Sequence, residues 1–387
     1  MSKNLKVLMF SDICGKSSGY HVGDEAMAEV AVARLKKICG TENITLACAS
    51  PKAVTATYGV PSFAYYNFTD TQHADLKIHR PLSYLKSTAV LQYQLRKHDV
   101  LFICGGGNLT SEWPGVLESR MRLIQAALKL NKKVVLVSQT LGPYSPEHRR
   151  KYAHLLPQLD WVGVRDKHYS HKQTEATVKY AIDDASFLKP EHSARTSKVA
   201  SGQKPYMTFS MRKFGDANDS LLDILSQEVA KINTNKGVNT VFIPHHSPNG
   251  GGDTALINQR SHYFQSDLDL TIVDPIELAA PLKALTSEGS WTVSMRYHQI
   301  VFALSTGVPV VGIYVNEYTQ AKLRGAFEQF GLEPKLLAID EVNGKLEPLI
   351  EQAISEKSLF HSAAEKCATD SLTDSMKPYR LVESWAS

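Results

Sequence analysis

Cysteine is scarce in this chain of 387 residues, and its five cysteines form no C-x-x-C pair. An odd number with no such spacing argues against a disulfide framework and against a zinc site. We therefore expect free thiols in a reducing compartment and no metal site. The five residues concerned are Cys14, Cys39, Cys48, Cys104 and Cys367.

The chain also lacks a strong charge of either sign. Its 43 lysines and arginines against 39 acidic residues leave a formal net charge of +4. A nucleic-acid-binding protein usually carries a basic stripe or a recognisable module, and we find neither, so we expect no nucleic-acid partner. The weak positive charge is compatible with an anionic substrate or with peripheral contact at an anionic membrane surface.

No hydrophobic run is long enough to suggest a membrane span. The most apolar segment, residues 300–315, is interrupted by Ser305, Thr306, Gly307 and Pro309, whereas a span needs ~20 apolar residues. The apolar stretch near the start of the sequence is too short for a signal peptide. These features predict a cytoplasmic protein.

What the chain does have is the composition of a globular protein, with 43% hydrophobic and 21% charged residues, which excludes disorder as its main state. At ~100–200 residues per domain, the length predicts two domains. Short apolar strands alternate with amphipathic helices in both halves, as is typical of doubly wound α/β domains. Residues 189–205 break this alternation and are rich in Lys, Ser and Pro, which predicts an interdomain linker. A cleft between the two domains is the expected ligand site.

Basic residues follow the predicted strands of the second half, where ligands of open parallel sheets bind. They are Arg212, His245, His246, Arg296 and His298. The one acid at a strand end, Asp274, is interpreted as the cap of a helix with Pro275 at its first position. Convergent cations predict a small, strongly anionic ligand, because arginine binds carboxylate and phosphate through two parallel hydrogen bonds.

The segment Ser294-Met295-Arg296-Tyr297-His298 joins a predicted strand to a predicted helix. Arg296 and His298 would flank the helix N-terminus, where unbonded backbone N–H groups favour an anion. A histidine there can transfer protons near neutral pH. The structural alternative is that Arg296 pairs with a carboxylate and His298 caps the helix.

The adjacent pair His245 and His246 precedes a glycine-rich run. Neighbouring residues on a strand point to opposite faces, so the pair is a poor metal site. Substrate contact or a hydrogen-bonded loop position is the favoured interpretation for each ring.

Three polar positions in the first half are candidates for contacts with a second substrate. Asp24 lies at a predicted helix start, where an acid is favourable, and could also bind a hydroxyl. Asn108 follows a triple-glycine turn that lacks the G-x-G-x-x-G spacing of a dinucleotide site. Arg165 is either a ligand contact or half of a local ion pair with Asp166.

Seven short motifs occur in an order that is similar to that of one known family. They are Gly23-Asp24-Glu25-Ala26, Gly105-Gly106-Gly107-Asn108-Leu109, Gln139-Thr140-Leu141-Gly142-Pro143, Val164-Arg165-Asp166, Asp183-Asp184-Ala185-Ser186-Phe187, Met295-Arg296-Tyr297-His298 and Gly307-Val308-Pro309-Val310-Val311-Gly312-Ile313. Together, over about residues 5 to 320, they resemble the polysaccharide pyruvyltransferase family. No single motif is specific, but the ordered set is fairly specific.

The resemblance implies a glycosyltransferase-B-like fold of two Rossmann-like doubly wound domains with an interdomain cleft. We accordingly predict an N-terminal domain over residues 1–190 on the acceptor side and a C-terminal domain over residues 204–345 on the donor side. Residues 346–387 are expected to form a helical segment that packs back on the N-terminal domain.

The resemblance also implies the reaction: the enolpyruvyl group of phosphoenolpyruvate moves to a sugar, forming a pyruvate ketal with release of phosphate. The acceptor is a sugar of a polysaccharide or glycolipid precursor, free or lipid-linked. Phosphoenolpyruvate is the donor substrate, so no cofactor is implied.

Site residues follow from the resemblance position by position. His298 is the implied acid or base, and Arg212 joins it as a catalytic candidate. The family's phosphate-binding lysine falls at Tyr318 in this sequence, with Lys322 one helical turn further on as its candidate replacement. The other donor candidates are Arg296, Tyr297 and His245. The acceptor candidates are Asp24, Asn108 and Arg165.

Two other functions remain open from the sequence. A nucleotide-sugar-dependent glycosyltransferase could share the two-domain fold, although no distinctive acidic ribose-binding signal is present. The second alternative is a non-catalytic protein that binds a sugar or an anion. The presence of both Arg296 and His298 argues against it.

Overall fold

The computed structural model describes residues 5–17, 19–65, 80–202, 205–215, 217–264, 270–274 and 276–386, without the side chains of residues 80–87. The chain divides into two compact units. The first contains Met1–Ser17, Met27–Asp184 and Thr373–Ser387, and the second contains Ser18–Ala26 and Ala185–Leu372. The division thus falls at residue 184 rather than near 190, and residues 346–372 belong to the second unit.

A parallel sheet of seven strands forms the centre of the first unit. Its strands are β1 (Val7–Phe10), β2 (Ile44–Cys48), β3 (Ser62–Ala64), β4 (Val100–Leu109), β5 (Lys133–Leu141), β6 (Trp161–Val164) and β7 (Lys179–Tyr180). Their order across the sheet is β3-β2-β1-β4-β5-β6-β7. All four residues of β1 are buried, as expected for a strand covered by helices on both faces.

Five helices connect these strands. They are α1 (Val22–Cys39), α2 (Pro51–Tyr58), α3 (Arg80–Lys97), α4 (Pro114–Lys129) and α5 (Pro146–Tyr152). The face of α4 that packs on the core of this unit carries Leu117, Met121 and Ile124, which are fully buried. The first residues of α1, up to Ala26, belong to the second unit.

The second unit contains a six-stranded parallel sheet. Its strands are β8 (Tyr206–Ser210), β9 (Asn239–Phe242), β10 (Leu270–Ile272), β11 (Thr292–Ser294), β12 (Val310–Tyr314) and β13 (Leu336–Ala338). Its helices are α6 (Ala194–Gly202), α7 (Asp219–Lys236), α8 (Gly252–Asn258), α9 (Ala279–Ser287), α10 (Tyr297–Ser305), α11 (Glu317–Gln329), α12 (Leu346–Ser355) and α13 (Lys357–Ser384). The last residues of α13, from Thr373, belong to the first unit.

Both sheets have the strand order of a Rossmann-like, doubly wound domain. In the second unit the order is β10-β9-β8-β11-β12-β13, so the chain builds outward from β8, returns, and continues from β11 on the other side. The expected pair of doubly wound α/β folds is therefore confirmed. In such sheets ligands bind where the order reverses, which here is the carboxyl end of β8 and β11.

Two expectations about local structure are wrong. Residues 189–205 are not an interdomain linker, because they lie within the second unit and contain α6. This helix begins where the Ser193 hydroxyl accepts a hydrogen bond from the Thr196 N–H (3.2 Å). Composition alone missed this capping pair. Asp274 does not cap a helix either, since its own N–H donates to the Ile272 carbonyl in a turn and α9 begins only at Ala279. Pro275 lies outside the described residues.

All five cysteines are free thiols, and Cys48, Cys104 and Cys367 are buried. No helix in the described part of the chain has both the length and the apolar character needed to cross a membrane.

Candidate functional site

Two arginines lie at the strand ends where the order of the second sheet reverses. Ser210 of β8 is paired in register with Ser294 of β11, and Arg212 and Arg296 each follow two residues later. Arg296 is the N-cap of α10, as the strand-to-helix motif predicted. The Ser294 hydroxyl accepts a hydrogen bond from the Arg296 N–H (2.8 Å), which fixes this tight junction.

Arg296 is held by a buried carboxylate. Its Nε donates to Oδ2 of Asp253 (2.9 Å) and its Nη2 donates to Oδ1. Asp253, in the first turn of α8, is only 1% exposed, and its Oδ2 also accepts the N–H groups of His245 (2.9 Å) and His246 (3.3 Å). Arg296 thus pairs with a carboxylate, which was the structural alternative to a ligand-binding role. The two hydrogen bonds also fix the direction of the guanidinium group, and its Nη1 takes no part in them.

His245 connects β9 with α10. Its Nε2 lies 3.0 Å from Oε1 of Gln299, whose amide nitrogen donates to the hydroxyls of Thr208 and Thr286. Because that nitrogen already donates twice, the Gln299 oxygen must accept, and His245 carries its proton on Nε2. Burial lowers the pKa of His245 to about 3, so the ring is neutral and adds no charge to the site.

Arg212 is the arginine of this site that makes no ion pair within the described residues. Its Nε is buried and makes no hydrogen bond within the described part of the chain, and its guanidinium lies 4.5 Å from the centre of the Phe214 ring. Burial, followed by repulsion from Arg296, lowers the pKa of Arg212 to about 9, so it remains protonated at neutral pH. A buried donor with no partner is costly, and an anion would satisfy it.

The segment before α1 brings to this site a histidine that no sequence pattern indicated. His21 forms an antiparallel bridge with His246, and the Val22 N–H donates to the His245 carbonyl (3.0 Å). The rings of His21 and His246 lie 5.0 Å apart, and Nδ1 of His21 is 3.2 Å from Oδ2 of Asp24. A histidine in a loop before a helix gives no periodic signal, so only the fold could reveal it.

His298 packs directly on the same segment. The half-buried imidazole lies so close to Gly23 that a Cβ added there would be 1.8 Å from Nδ1 of His298. The ring also meets Tyr297 edge-on, with ring centres 5.0 Å apart. The glycine is therefore needed for the approach of this histidine, not only as part of a helix start.

The two candidates on α11 both lie near Tyr297. The Lys322 ammonium is 5.4 Å from the centre of the Tyr297 ring and 5.9 Å from that of Tyr318. Tyr318 is buried, and the Tyr297 hydroxyl accepts a hydrogen bond from Gln329 Nε2 (2.8 Å). The lysine one turn beyond Tyr318 thus lies beside the helix that begins after Arg296.

These groups form what we call the basic cluster, namely His21, Arg212, His246, Arg296 and His298. Burial, followed by repulsion from His246, Arg296, Arg212 and His298, lowers the pKa of His21 well below its usual range. Burial and repulsion from Arg296 likewise lower the pKa of His246. The cluster disfavours positive charge on His21 and His246, so it is suited to a ligand with several negative charges.

Of the three acceptor candidates, only Asp24 lies in the second unit. Arg165, in the first unit, is 1% exposed, and it donates to Asp183 (2.7 Å) and to the Thr140 hydroxyl (2.9 Å). The local pairing with Asp166 is therefore wrong, since that carboxylate instead accepts the N–H groups of Tyr169 (2.8 Å) and Ser170 (2.7 Å). Arg165 serves as a buried structural cation.

Asn108 lies at the carboxyl end of β4 in the first unit. Its amide donates to the Asp12 carboxylate, which also pairs with the buried Arg120. The Arg120 guanidinium lies 4.1 Å from the centre of the Phe10 ring. This polar group stands at the point where the order of the first sheet reverses, between β1 and β4.

Comparisons with known proteins agree with this architecture. A family model described as polysaccharide pyruvyl transferase matches residues 21–317. No curated protein sequence matches the chain. Similar solved structures include Staphylococcus aureus MnaA with UDP (13% identity, TM-score 0.61, covering 98% of this chain and 95% of that one). Another is Acinetobacter baumannii MurG (13% identity, TM-score 0.53, covering 98% of this chain and 99% of that one). A third is UDP-GlcNAc 2-epimerase from Methanocaldococcus jannaschii (12% identity, TM-score 0.56, covering 91% of this chain and 92% of that one). These likenesses establish the fold, a glycosyltransferase-B type with two Rossmann-like domains.

Proposed function

The chain belongs to the polysaccharide pyruvyl transferase family, and from this premise we propose that its donor is phosphoenolpyruvate. The enolpyruvyl group moves to a sugar of a polysaccharide or glycolipid precursor, where it closes a pyruvate ketal, and phosphate is released. The observation that carries the donor assignment is the pair of guanidinium groups at the reversal point of the second sheet, with a buried, unbonded Nε on Arg212.

The charges of the donor complement those of the basic cluster. Phosphoenolpyruvate carries a carboxylate and a phosphate, with up to three negative charges, and guanidinium groups bind both through paired hydrogen bonds. Asp253 orients Arg296 for one of these groups, and Arg212 is available to the other. The start of α10 adds backbone N–H groups that favour an anion.

For the sugar acceptor we propose candidate contacts rather than a complete site. Asp24 lies next to the basic cluster through its contact with His21, and a carboxylate there can accept a hydrogen bond from a sugar hydroxyl. Asn108 remains a candidate for the same substrate. Arg165 is only 1% exposed, and its hydrogen bonds to Asp183, Thr140 and Met27 give it a structural role.

His298 is proposed to transfer a proton in the reaction. One sugar hydroxyl adds to C2 of the enol, a proton is added to C3, phosphate leaves, and a second hydroxyl closes the ketal. Of the two hydroxyl protons, one is balanced by the new methyl hydrogen and the other leaves with phosphate. The half-buried ring of His298 is positioned by its contacts with Gly23 and Tyr297, which supports such a role.

The proposal is tested by measuring phosphate release from phosphoenolpyruvate with a panel of sugar acceptors. We expect acceptor-dependent release that falls by about 10²–10⁴ in His298→Ala, the usual contribution of an acid or base. His262→Gln is the matched control, since this exposed histidine of the same unit lies outside the basic cluster. Calorimetric binding of a UDP- or GDP-sugar, with no binding of phosphoenolpyruvate, would replace the proposal by the nucleotide-sugar alternative.

A further inference from the structure

The proposed reaction requires two different proton transfers at neighbouring atoms. The attacking sugar oxygen must lose a proton, and C3 of the enol must gain one. The basic cluster holds two partly exposed imidazoles that interact electrostatically, because His298 packs on the backbone of Gly23, two residues after His21. This arrangement raises the question of whether each transfer has its own histidine.

The surroundings of His21 are those of a base. Its Nδ1 lies 3.2 Å from Oδ2 of Asp24 without making a hydrogen bond to it, so the carboxylate is close enough to stabilise a positive charge on the ring. The side chain is 40% exposed, so the ring is packed on one side and open to a substrate on the other. The backbone is held on both sides, by the bridge to His246 and by the Glu25 N–H, which donates to the His21 carbonyl (3.0 Å).

We propose that His21 is the base that accepts the proton of the attacking sugar hydroxyl, and that His298 is the acid that protonates C3. The inference rests on the proposed function. In the addition step, the hydroxyl oxygen forms a bond to C2 as its proton passes to the neutral imidazole of His21. His298 enters the step as imidazolium, and the C2–C3 π electrons take up its proton to form the methyl group. The product is a phosphorylated ketal intermediate, with His21 protonated and His298 neutral. Phosphate then leaves with the proton of His21, and the second hydroxyl gives its proton to His298 as it closes the ketal, which restores both rings.

The charges around His21 support this division of roles. Burial, followed by repulsion from His246, Arg296, Arg212 and His298, lowers the pKa of His21, so its imidazole is neutral before the reaction, as a base must be. The donor's negative charges reduce that repulsion once it is bound, and the Asp24 carboxylate stabilises the imidazolium that forms. The site therefore gains basic strength at His21 when the donor is in place.

The test compares His21→Gln with His262→Gln, measuring both turnover and donor binding. Glutamine keeps the polar character and much of the volume but cannot cycle a proton. We expect kcat to fall by about 10²–10⁴ while the Kd for phosphoenolpyruvate, measured by calorimetry, stays within about threefold (a difference of about 0.65 kcal/mol). In a second variant, His21→Ala, added imidazole should restore part of the turnover. A merely structural histidine would show no such rescue.

The possible failures are distinguishable. Full turnover in His21→Gln, with an active unsubstituted chain, would overturn the inference and leave His298 to make both transfers. A large loss of donor affinity would make His21 a donor contact and equally overturn it. No acceptor-dependent phosphate release from the unsubstituted chain would overturn the proposed function and the role of His21 with it.

Discussion

At the scale of single residues, the site depends on where a buried negative charge is placed. Asp253 forms two hydrogen bonds to Arg296 and two to the backbone of the residues that follow β9. One carboxylate thus fixes both the direction of the arginine and the path of the neighbouring strand end. Removing one partner of such a pair leaves a buried charge uncompensated, which costs far more than the pair itself contributes.

We therefore expect Asp253→Asn to lower the free energy of unfolding by about 3–5 kcal/mol. Phosphoenolpyruvate affinity should fall as well, because Arg296 loses the partner that orients it. Asp223→Asn is the control: Asp223 is 37% exposed, and its partner Arg260 keeps a second carboxylate, Asp219. That change should cost less than about 1 kcal/mol. Urea unfolding and calorimetry measure both quantities, and equal stability losses in the two variants would contradict this account.

At the scale of elements, the first turn of α1 is fitted against the first turn of α10. The backbone of Gly23 touches the His298 ring, and no side chain can be accommodated between them. The contact joins a bare backbone to the imidazole proposed to transfer a proton, so we expect a side chain added at Gly23 to affect activity.

Gly23→Ala should consequently reduce turnover at least 100-fold by displacing His298, since misplacement by about 1 Å can cost that factor. Gly202→Ala is the matched control, because a Cβ there would meet nothing within 4 Å. It should keep full activity and change stability by less than about 1 kcal/mol. Phosphate release and thermal unfolding of both variants check this, and an active Gly23→Ala chain would show that His298 tolerates displacement.

The sequence predicts these elements well where a local pattern exists. Apolar runs predict the positions of the central strands, and the rule that ligands bind at strand ends selects Arg212 and Arg296 from the sequence alone. No such pattern identifies Asp253, which lies 43 residues before its partner in a glycine-rich run that looks like a flexible loop. His21 was missed for the same physical reason: its contacts are made by a loop with residues more than 200 positions away.

At the scale of the whole molecule, the chain crosses from one unit to the other more than once. The segment Ser18–Ala26 belongs to the second unit, and Thr373–Ser387 returns to the first. In the first unit the returning helix is held by Asp184, which accepts hydrogen bonds from the Tyr379 hydroxyl (2.6 Å) and from Arg34. Part of the Asp183-Asp184 motif that supported the family resemblance thus has a structural role.

The return of the C-terminal segment should depend on Tyr379. This side chain is fully buried, packs 5.4 Å from the Phe102 ring of β4, and lies under the Arg34 guanidinium. Tyr379→Phe keeps the ring but deprives the buried Asp184 carboxylate of one of its two side-chain donors. An acceptor left partly unsatisfied in a buried place costs about 1–3 kcal/mol.

We expect urea unfolding to show that Tyr379→Phe lowers the free energy of unfolding by about 1–3 kcal/mol. Hydrogen exchange over residues 373–386 should also become faster. The control Tyr93→Phe should change neither quantity. Tyr93 is the suitable control, because it is 53% exposed and belongs to the same unit. Turnover should be largely retained in Tyr379→Phe, since the basic cluster lies wholly in the second unit. A Tyr379→Phe chain with unchanged stability and exchange would mean that ring packing alone holds the C-terminal segment in place.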